Sequence, residues 1–432
     1  MSRTLASAII AKKTTQKALE GEICKVNVDL AFANDITGAP AIRAFRKMGA
    51  KQVFDPQRCA ILPDHFTPNK DIAAAEQAKE AKEFALEQGM LYWEQGRVGV
   101  EHTFLPEQGL ILPGEIVIGA DSHTCTGGAM GAFATGVGST DLAAIWALGQ
   151  TWLKVPKTIR VLFQGKRPAW ISGKDLILEV LRNLGVQGAL YKALEFSGEA
   201  VESLPMDDRF TISNMAIEVG GKTGLFVPDE KTLKYAEKRA SRPFEPVYPD
   251  KDAPYERTIE IDTSSLEPLV ALPHLPSNVK PASQCEGIKV DQVFIGSCTN
   301  GRLRDMEQAA LVLKGRKVHP STRCIIIPAS QEVFQACLER GYISTFIEAG
   351  AAVCTPTCGP CLGGHMGILA AGERCVSTSN RNFVGRMGHP KSEVILSGPL
   401  VAAASAVTGK VTDPREVLSQ EELKALEVGS YE

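Results

Sequence analysis

The sequence contains no run of the roughly 18 consecutive apolar residues that a membrane-spanning helix requires. It also has no excess of basic residues, since 47 lysines and arginines face 50 acids and the formal net charge is -3. These two absences argue against a membrane surface or a nucleic acid as the main partner. Aromatic residues make up only 6% of the chain, whereas hydrophobic residues make up 44%. Such a composition is typical of a globular α/β protein.

The N-terminal segment lacks the apolar stretch of a secretory signal, and we expect an amphipathic helix there. The chain has 11 cysteines. An odd number favours reduced thiols and metal ligands over a framework of disulfide bonds. We therefore expect a protein of a reducing compartment, the cytoplasm.

The length of 432 residues predicts more than one domain, because a single hydrophobic core rarely organises so long a chain. We expect three α/β domains, over residues 1–156, 157–285 and 286–432. Near the end of the first domain, the pattern predicts a helix over residues 141–154. Eight prolines between Pro243 and Pro281 predict an irregular linker at the end of the second domain.

Three cysteines stand in segments that suit a bound inorganic group. Cys298 follows a strand-like apolar run and is flanked by Gly296, Ser297 and Gly301. Cys358 and Cys361 belong to Cys-Gly-Pro-Cys-Leu-Gly-Gly. Small residues let the backbone and the sulfur approach a ligand closely. Our first hypothesis is that the three thiols hold a metal cluster.

Other interpretations remain open from these residues alone. Cys358-Gly-Pro-Cys361 is also the pattern of a thioredoxin-type redox pair, although the following glycines weaken the helix that such a pair needs. Cys354, Cys358, Cys361 and His365 would suit tetrahedral zinc. Buried thiols acting as small hydrophobic side chains are a third interpretation, which fits Cys59 better than the pair beside glycine and proline.

Acids and histidines occur together after two predicted strands. Asp64 and His65 follow the apolar run 58–63, and Asp121 and His123 follow the run 116–120. His102 lies between these two segments. Catalytic groups gather at the carboxyl ends of strands in open α/β sheets, so these residues are candidates for proton transfer. The alternative is that His65 only satisfies a loop carbonyl.

Asn214 and Glu218 are four residues apart in a segment that we predict as helical. This spacing places both side chains on one face of a helix. They are either a buried functional pair or an exposed polar pair.

Four motifs together resemble the aconitase superfamily. They are Gly119-Ala120-Asp121-Ser122-His123-Thr124, Gly296-Ser297-Cys298-Thr299-Asn300-Gly301, Cys358-Gly359-Pro360-Cys361 and Asn380-Arg381-Asn382-Phe383-Val384-Gly385-Arg386. The resemblance implies three α/β domains around a [4Fe–4S] cluster. It also implies that Cys298, Cys358 and Cys361 bind the cluster, and that its fourth iron has no protein ligand.

The resemblance further implies a role for each candidate residue. Asp64 with His65 is similar to the pair that protonates the leaving hydroxyl group. Asp121 with His102, and Glu218 with His123, are similar to the pairs around the iron-bound water. The residues implied to contact the substrate are Asn214, Asn380, Arg381 and Arg386. Ala39 stands where an aconitase would have its substrate glutamine, so we do not expect citrate as the substrate.

The activity implied by the resemblance is that of a hydro-lyase acting on a 2-hydroxy di- or tricarboxylate. Long members continue into a swivelling domain that bears a serine base, whereas this sequence ends at Glu432. We therefore expect a large subunit whose separate small subunit supplies that domain and base. The first expectation is the interconversion of 2- and 3-isopropylmalate in leucine biosynthesis, followed by the homoaconitase and 2,3-dimethylmalate dehydratase reactions. An iron-sensing, zinc or redox protein is a distant alternative.

Overall fold

The computed structural model describes residues 2–428. Within these residues the strands form sheets of five, four and seven strands, together with one two-stranded pair. Each larger sheet is built from a separate stretch of the chain, which we call the first, second and third units. Helices flank the sheets, and large hydrophobic clusters fill the layers between them.

The first unit alternates strands and helices. Its five-stranded sheet has the order β4-β3-β2-β5-β6, and all its pairings are parallel. The central strands β2, β3 and β5 are buried along their whole length, as parallel strands covered on both faces must be. The elements are α1 (Leu5–Lys12), β1 (Ile23–Asn27), β2 (Leu30–Asn34), α2 (Asp35–Lys47), β3 (Cys59–Leu62), α3 (Ile72–Gln88), β4 (Leu91–Tyr92), α4 (Glu101–Glu107), β5 (Ile116–Gly119), β6 (Phe133–Gly136), α5 (Ser139–Leu148) and β7 (Gln150–Lys154).

The predicted helix over residues 141–154 is wrong in its second half. Helix α5 ends at Leu148 because Gly149 adopts a φ of 67°, a left-handed conformation that glycine accepts without strain. The following strand β7 pairs antiparallel with β1. Sequence periodicity missed this change because the signal for the boundary is a single glycine.

The second unit has a four-stranded parallel sheet in the order β10-β9-β8-β11. Helix α6 begins at Gly173 and ends at Leu184. The elements are β8 (Thr158–Gln164), α6 (Gly173–Leu184), β9 (Ala193–Ser197), α7 (Glu199–Ser203), α8 (Met206–Asn214), β10 (Thr223–Phe226), α9 (Glu230–Arg239) and β11 (Arg257–Asp262).

The third unit has a seven-stranded mixed sheet in the order β13-β12-β18-β17-β14-β15-β16. Strand β12 pairs antiparallel with both neighbours, and the remaining pairings are parallel. The elements are β12 (Leu269–Ala271), β13 (Val279–Pro281), β14 (Gln292–Ile295), α10 (Ser297–Asn300), α11 (Leu303–Leu313), β15 (Arg323–Ile326), α12 (Gln331–Glu339), α13 (Tyr342–Ala349), β16 (Ala352–Val353), β17 (Arg374–Ser377), β18 (Glu393–Ser397), α14 (Pro399–Thr408) and α15 (Gln420–Val428).

The proline-rich segment is more regular than the sequence predicts. It contains β11, which completes the second sheet, and both β12 and β13, which belong to the third sheet. The expectation of an irregular linker is wrong for these strands because no proline falls inside β11 or β12. Pro281 occupies the last position of the edge strand β13, where a missing N–H group is tolerated.

The fold collects the ends of strands from the first and third units in one place. Strands β3 and β5 lead into the segments with Asp64 and Asp121, and β14 and β17 lead into those with Cys298 and Asn380. Among the described residues, no helix combines the length and the apolar composition needed to cross a membrane.

Candidate active site

A cleft between the first and third units holds about 590 Å³ of empty space and is partly open to solvent. All the predicted site residues line this cleft except Asp64, Asn214 and Glu218. These three are buried, with exposures of 1%, 0% and 4%, and each bonds to a residue of the lining. The lining consists of Asn34, Ile36, Thr37, His65, Val100, His102, Asp121, Ser122, His123, Cys298, Cys358, Cys361, Leu362, Asn380, Arg381 and Arg386.

The three predicted cluster cysteines reach the cleft from two loops. Cys298 lies in the short helix α10, directly after β14, and Ser297 before it has a φ of 72°. Cys358 precedes the 3-10 helix Gly359–Leu362, and Cys361 lies within it. Gly359 has a φ of 59°, a left-handed conformation that favours glycine. These backbone conformations bring three thiols from positions 63 residues apart to one wall.

Polar N–H groups surround the sulfur atoms. The Asn214 Nδ2 amide donates to Cys298 Sγ at 3.2 Å, and Asn380 Nδ2 donates to the same sulfur at 3.6 Å. Arg386 Nη2 donates to Cys361 Sγ at 3.7 Å. Donors of this kind stabilise negative thiolates, which are the form of cysteine that binds metal.

Cys358 and Cys361 shift each other's pKa in opposite directions. The hydrogen bond from Cys358, assisted by the nearby guanidinium of Arg386, holds the pKa of Cys361 well below its usual range. The same hydrogen bond, together with burial, raises the pKa of Cys358. Burial also raises the pKa of Cys298. Binding to iron would release these protons, since cluster ligation takes the thiolate.

The arrangement of the thiols fits an iron–sulfur cluster better than a single metal ion. The described groups whose ligand atoms lie within 4.8 Å of one another are Asp35, Asp64 and His65, and His65, Glu101 and Asp121. Neither group contains a cysteine. A cubane cluster takes each thiolate on a different iron, so its ligands stand further apart than those of one ion. The three cysteines and their N–H donors therefore suit an iron–sulfur cluster.

The alternative zinc site is not assembled in the described part of the chain. Cys354 does not line the cleft and packs against the main hydrophobic cluster. The redox-pair interpretation also lacks its structural setting. The 3-10 helix ends at Leu362 because Gly363 has a φ of 73°, so the pair does not open a long helix.

Three acid–imidazole pairs line or back the opposite wall. His65 Nδ1 lies 2.6 Å from Asp64 Oδ1, and His102 Nε2 lies 2.8 Å from Asp121 Oδ1. His123 Nε2 lies 2.9 Å from Glu218 Oε1. The acid and the histidine in each contact are the same two residues that the resemblance to the aconitase superfamily implies as a pair. Each carboxylate orients its imidazole and selects the tautomer, as at other metal sites.

The surroundings give these groups different proton affinities. Burial lowers the pKa of His65, but the charge and hydrogen bond of Asp64, together with Glu101 and Asp121, place that pKa well above its usual value. Burial lowers the pKa of His102 below its usual value in spite of Asp121. Burial opposes ionisation of Asp121, yet hydrogen bonds from His102 and His123 hold its pKa well below the usual range. Burial and Arg381 lower the pKa of His123, but Asp121 and Glu218 raise it above its usual value. The charged form is therefore favoured at His65 and His123, and the neutral form at His102.

The arginines occupy the side of the cleft next to the cysteines. Arg381 Nε donates to Glu218 Oε1 at 2.8 Å. Arg386 Nη2 donates to Cys361 Sγ. The buried Nε of Arg386 makes no hydrogen bond within residues 2–428. An unpaired buried guanidinium N–H costs free energy unless a ligand oxygen accepts from it. A carboxylate bound in the cleft would satisfy this donor.

The helical prediction for Asn214 and Glu218 is correct only in part. Asn214 ends α8, and Glu218 lies in the 3-10 helix Met215–Val219. Both side chains are buried, so the exposed-pair alternative is wrong. Asn214 Oδ1 accepts from Thr299 Oγ1 at 3.0 Å and from Asn380 Nδ2 at 3.2 Å. Its amide thus links the second unit to the cysteine-bearing loops.

Several residues at the site escaped sequence reasoning. The two carboxylate oxygens of Asp35 accept from the backbone N–H groups of Asp64, His65 and Phe66 at 2.8–3.0 Å. Asn34 caps α2 and also lines the cleft. The sequence does contain a signal for these two residues, because Asn34 ends the apolar strand β2 and Asp35 directly follows it. From this segment, the only inference we drew concerned Ala39. Ala39 itself is fully buried and is not among the cleft-lining residues.

Comparison with known proteins identifies relatives over almost the whole chain. The curated 3-isopropylmalate dehydratase large subunits of Halothermothrix orenii and Moorella thermoacetica are each 58% identical over 420 residues, covering 97% of this chain and all of the relative. The 3-isopropylmalate dehydratase large subunit 1 of Pyrococcus furiosus is 56% identical over 419 residues, covering 96% of this chain and 99% of the relative.

A solved structure, the holo-form of Thermococcus kodakaraensis aconitase X, matches with a TM-score of 0.47 and 15% identity, covering 93% of this chain and 90% of that one. The family model described as "Aconitase family (aconitate hydratase)" matches residues 7–409. That match confirms the resemblance and the α/β fold class expected from the four sequence motifs. The chain belongs to the aconitase family.

Proposed function

We propose that this chain is the large subunit of a 3-isopropylmalate dehydratase, a hydro-lyase of leucine biosynthesis that interconverts 2- and 3-isopropylmalate. The observation that carries the proposal is the single cleft. It combines three cysteines with three acid–imidazole pairs and two arginines. Large subunits of this name are 58% identical to the chain over 97% of its length.

We propose that Cys298, Cys358 and Cys361 hold a [4Fe–4S] cluster with one iron lacking a protein ligand. Such a group, when bound, supplies a Lewis acid that takes the substrate hydroxyl and an adjacent carboxylate. The Asn214 and Asn380 amides, which donate to Cys298 Sγ, would then keep that thiolate in place.

His65 is the group best placed to protonate the departing hydroxide. It is charged near neutral pH because Asp64 holds its proton, and it lines the cleft at the side facing Asp121. His102 and His123, each held by a carboxylate, orient the water that leaves and returns. General-acid assistance of this kind contributes about 10²- to 10⁴-fold to a rate.

The arginines bind the substrate carboxylates. Arg386 presents an unpaired N–H group next to the cysteines, and Arg381 is fixed by Glu218 at the same wall. The fork of a guanidinium matches two carboxylate oxygens at once, which also orients the carbon that loses its proton. Two such contacts suit a dicarboxylate.

The base that removes the carbon-bound proton is proposed to be a serine of a separate small subunit with a swivelling domain. Support comes from the relatives, which are named large subunits, and from the open side of the cleft, which leaves the substrate accessible to a second chain. The proposed complex is a cytoplasmic heterodimer. The odd number of cysteines, 11, agrees with a reducing compartment.

Reconstitution tests the proposal directly. The purified chain with its cluster restored anaerobically should not turn over 3-isopropylmalate, and adding the small subunit should restore activity that saturates at one small subunit per large subunit. Homocitrate and 2,3-dimethylmalate serve as competing substrates. Full activity of this chain alone would contradict the two-subunit assignment, and preference for either competitor would contradict the substrate.

A further inference from the structure

A further carboxyl group, that of Glu101, is buried beside the acid–imidazole pairs. Glu101 opens helix α4 and its side chain is fully buried. Its backbone N–H donates to Asp64 Oδ2 at 2.6 Å, and its Oε1 accepts from Asn34 Nδ2 at 3.0 Å. Glu101 Oε2 has no hydrogen-bond partner within residues 2–428. Nothing in the mechanism above uses this group.

Glu101 faces charge of its own sign. Carboxyl oxygens of Glu101 and Asp121 and a ring nitrogen of His65 all lie within 4.8 Å of one another. Asp64 is held by the Glu101 backbone, and His102 Nε2 lies 3.4 Å from Glu101 Oε1. Asn34 is the remaining neighbour, and it is neutral.

The shortage of positive charge favours a protonated Glu101. Asp64 and Asp121 each already hold an imidazole closely, at 2.6 and 2.8 Å, whereas Glu101 has only the longer contact to His102. Ionising a buried carboxyl group that has an unpaired oxygen costs several kcal/mol, so the group keeps its proton while His65 is still charged. Burial, with the carboxylates of Asp64 and Asp121, raises the pKa of Glu101 well above its usual value. The oxygen without a partner, Oε2, is the place for that proton.

We propose that Glu101 stores a proton and passes it to His65 after His65 has protonated the departing hydroxide. The inference rests on the proposed hydro-lyase function and deepens it. Glu101 acts through His65 and does not itself touch the substrate. No direct hydrogen bond joins Glu101 to His65 within residues 2–428, although their ligand atoms lie within 4.8 Å, so the proposed transfer requires one bridging water.

The proton count balances over the reaction. On dehydration the C–O bond breaks, its electron pair leaves with the oxygen, and the His65 proton completes a water molecule. The carbon-bound proton goes to the base while its bonding pair forms the double bond. Glu101 then restores the proton of His65. On rehydration the same steps run in reverse at the neighbouring carbon, and Glu101 recovers its proton.

Two substitutions at Glu101 separate proton storage from a structural role. Glu101→Gln keeps the size of the side chain and the acceptor for Asn34 but has no proton to give. Glu101→Asp keeps the acid on a shorter side chain. In the complex with the small subunit, E101Q should lower kcat by ~10²-fold with KM unchanged, and E101D should be more active than E101Q. A purely structural role predicts the opposite order.

The pH profile and the infrared spectrum give independent readouts. Wild-type kcat should fall at alkaline pH as Glu101 loses its proton. In E101Q the fall in kcat should occur at a different pH, because the side chain at position 101 no longer titrates. Wild-type protein with its cluster should show a protonated carboxyl C=O band that E101Q lacks. Glu107→Gln is the matched control, since Glu107 is a partly buried acid of the same helix that bonds to Ser330 and does not belong to the group of Glu101, His65 and Asp121. It should leave kcat and its pH profile unchanged.

These experiments can contradict the role of Glu101 without contradicting the proposed hydro-lyase function. The infrared band needs no turnover, so it reports on Glu101 even if the wild-type complex does not accept isopropylmalate. Absence of that band from the wild type would overturn the proposal. Wild-type kcat and an unchanged pH profile in E101Q would overturn it equally.

Discussion

Arg381 and Glu218 form a partly buried ion pair of 2.8 Å across 163 positions of sequence. The same oxygen, Glu218 Oε1, accepts from His123 Nε2 at 2.9 Å. One carboxylate of the second unit therefore joins a histidine of the first unit to an arginine of the third. Hydrogen bonds between units are needed to hold this site together, because no single unit contains all of the site residues.

The proposed cluster ligands can be tested by replacing one thiol at a time. Cys298→Ser, Cys358→Ser and Cys361→Ser should each prevent stable cluster assembly, since each removes one of three protein anchors. Cys354→Ser is the matched control because Cys354 lies outside the cleft lining, and it should retain the cluster. Iron and sulfide analysis with an absorbance spectrum measures both. Cluster loss in the Cys354 variant with retention in the Cys298 variant would favour zinc.

Substitution of Arg386 tests the carboxylate clamp. Arg386→Lys keeps the positive charge but loses the planar fork and the unpaired Nε. We expect kcat/KM for 3-isopropylmalate to fall by an amount equivalent to about 1.5–3 kcal/mol, the usual contribution of a hydrogen bond to a charged group. The cluster spectrum checks that the change at Cys361 has not removed iron. Unchanged kcat/KM would exclude Arg386 from substrate binding.

Lys174 of helix α6 is expected to hold two loops of the site together. Its fully buried Nζ donates to Thr378 O at 2.9 Å, Ser379 O at 2.7 Å and Asn300 Oδ1 at 3.3 Å. Lys174→Met leaves these acceptors unpaired, which costs about 1–3 kcal/mol for each buried group. We expect a lower Tm and faster loss of the cluster to a chelator.

Lys222→Met is a suitable control for Lys174, because this partly exposed lysine also has a lowered pKa through burial but contacts neither loop. Its Tm and its rate of cluster loss should remain close to wild type. If the Lys174 variant behaved in the same way, the buried ammonium would not be what holds the loops.

Glu107 gives the protein a pH-dependent stability. Burial raises its pKa to about 8, whereas an unfolded chain leaves glutamate near its usual value of ~4.3. Below that usual value the group is protonated in both states. Between about pH 4.3 and pH 8, Glu107 ionises in the unfolded chain but keeps its proton in the folded protein. The free energy of unfolding therefore falls progressively as the pH rises through this range. Glu107→Gln should remove the effect.

The measurement is the difference in Tm between Glu107→Gln and wild type at several pH values. Ser330 can still donate to the amide oxygen, so the variant keeps its hydrogen bond. The variant should gain relative stability from pH 5 to pH 8. A difference in Tm that stays constant with pH would show that Glu107 is ionised in the folded protein.

The sequence by itself identified the chemical groups of the site. Cys358 and Cys361, or Asp64 and His65, are neighbours along the chain, so their pairing depends on local geometry that a motif preserves. Strand ends were also predictable, because the apolar runs before Asp64, Asp121 and Cys298 are short and bounded. The four motifs were specific enough to indicate the family before any contact was known.

Only the tertiary structure decided which groups surround those motifs. Glu101 meets Asp64 across 37 positions, and Lys174 meets Ser379 across 205. Neither contact leaves a periodic signal, because burial of a charged side chain depends on what the rest of the chain packs against it. Periodicity alone also failed at Gly149, where one left-handed residue ends a helix and starts a strand. The identities of the reactive groups are thus local in sequence, while their proton affinities and positions are set by long-range packing.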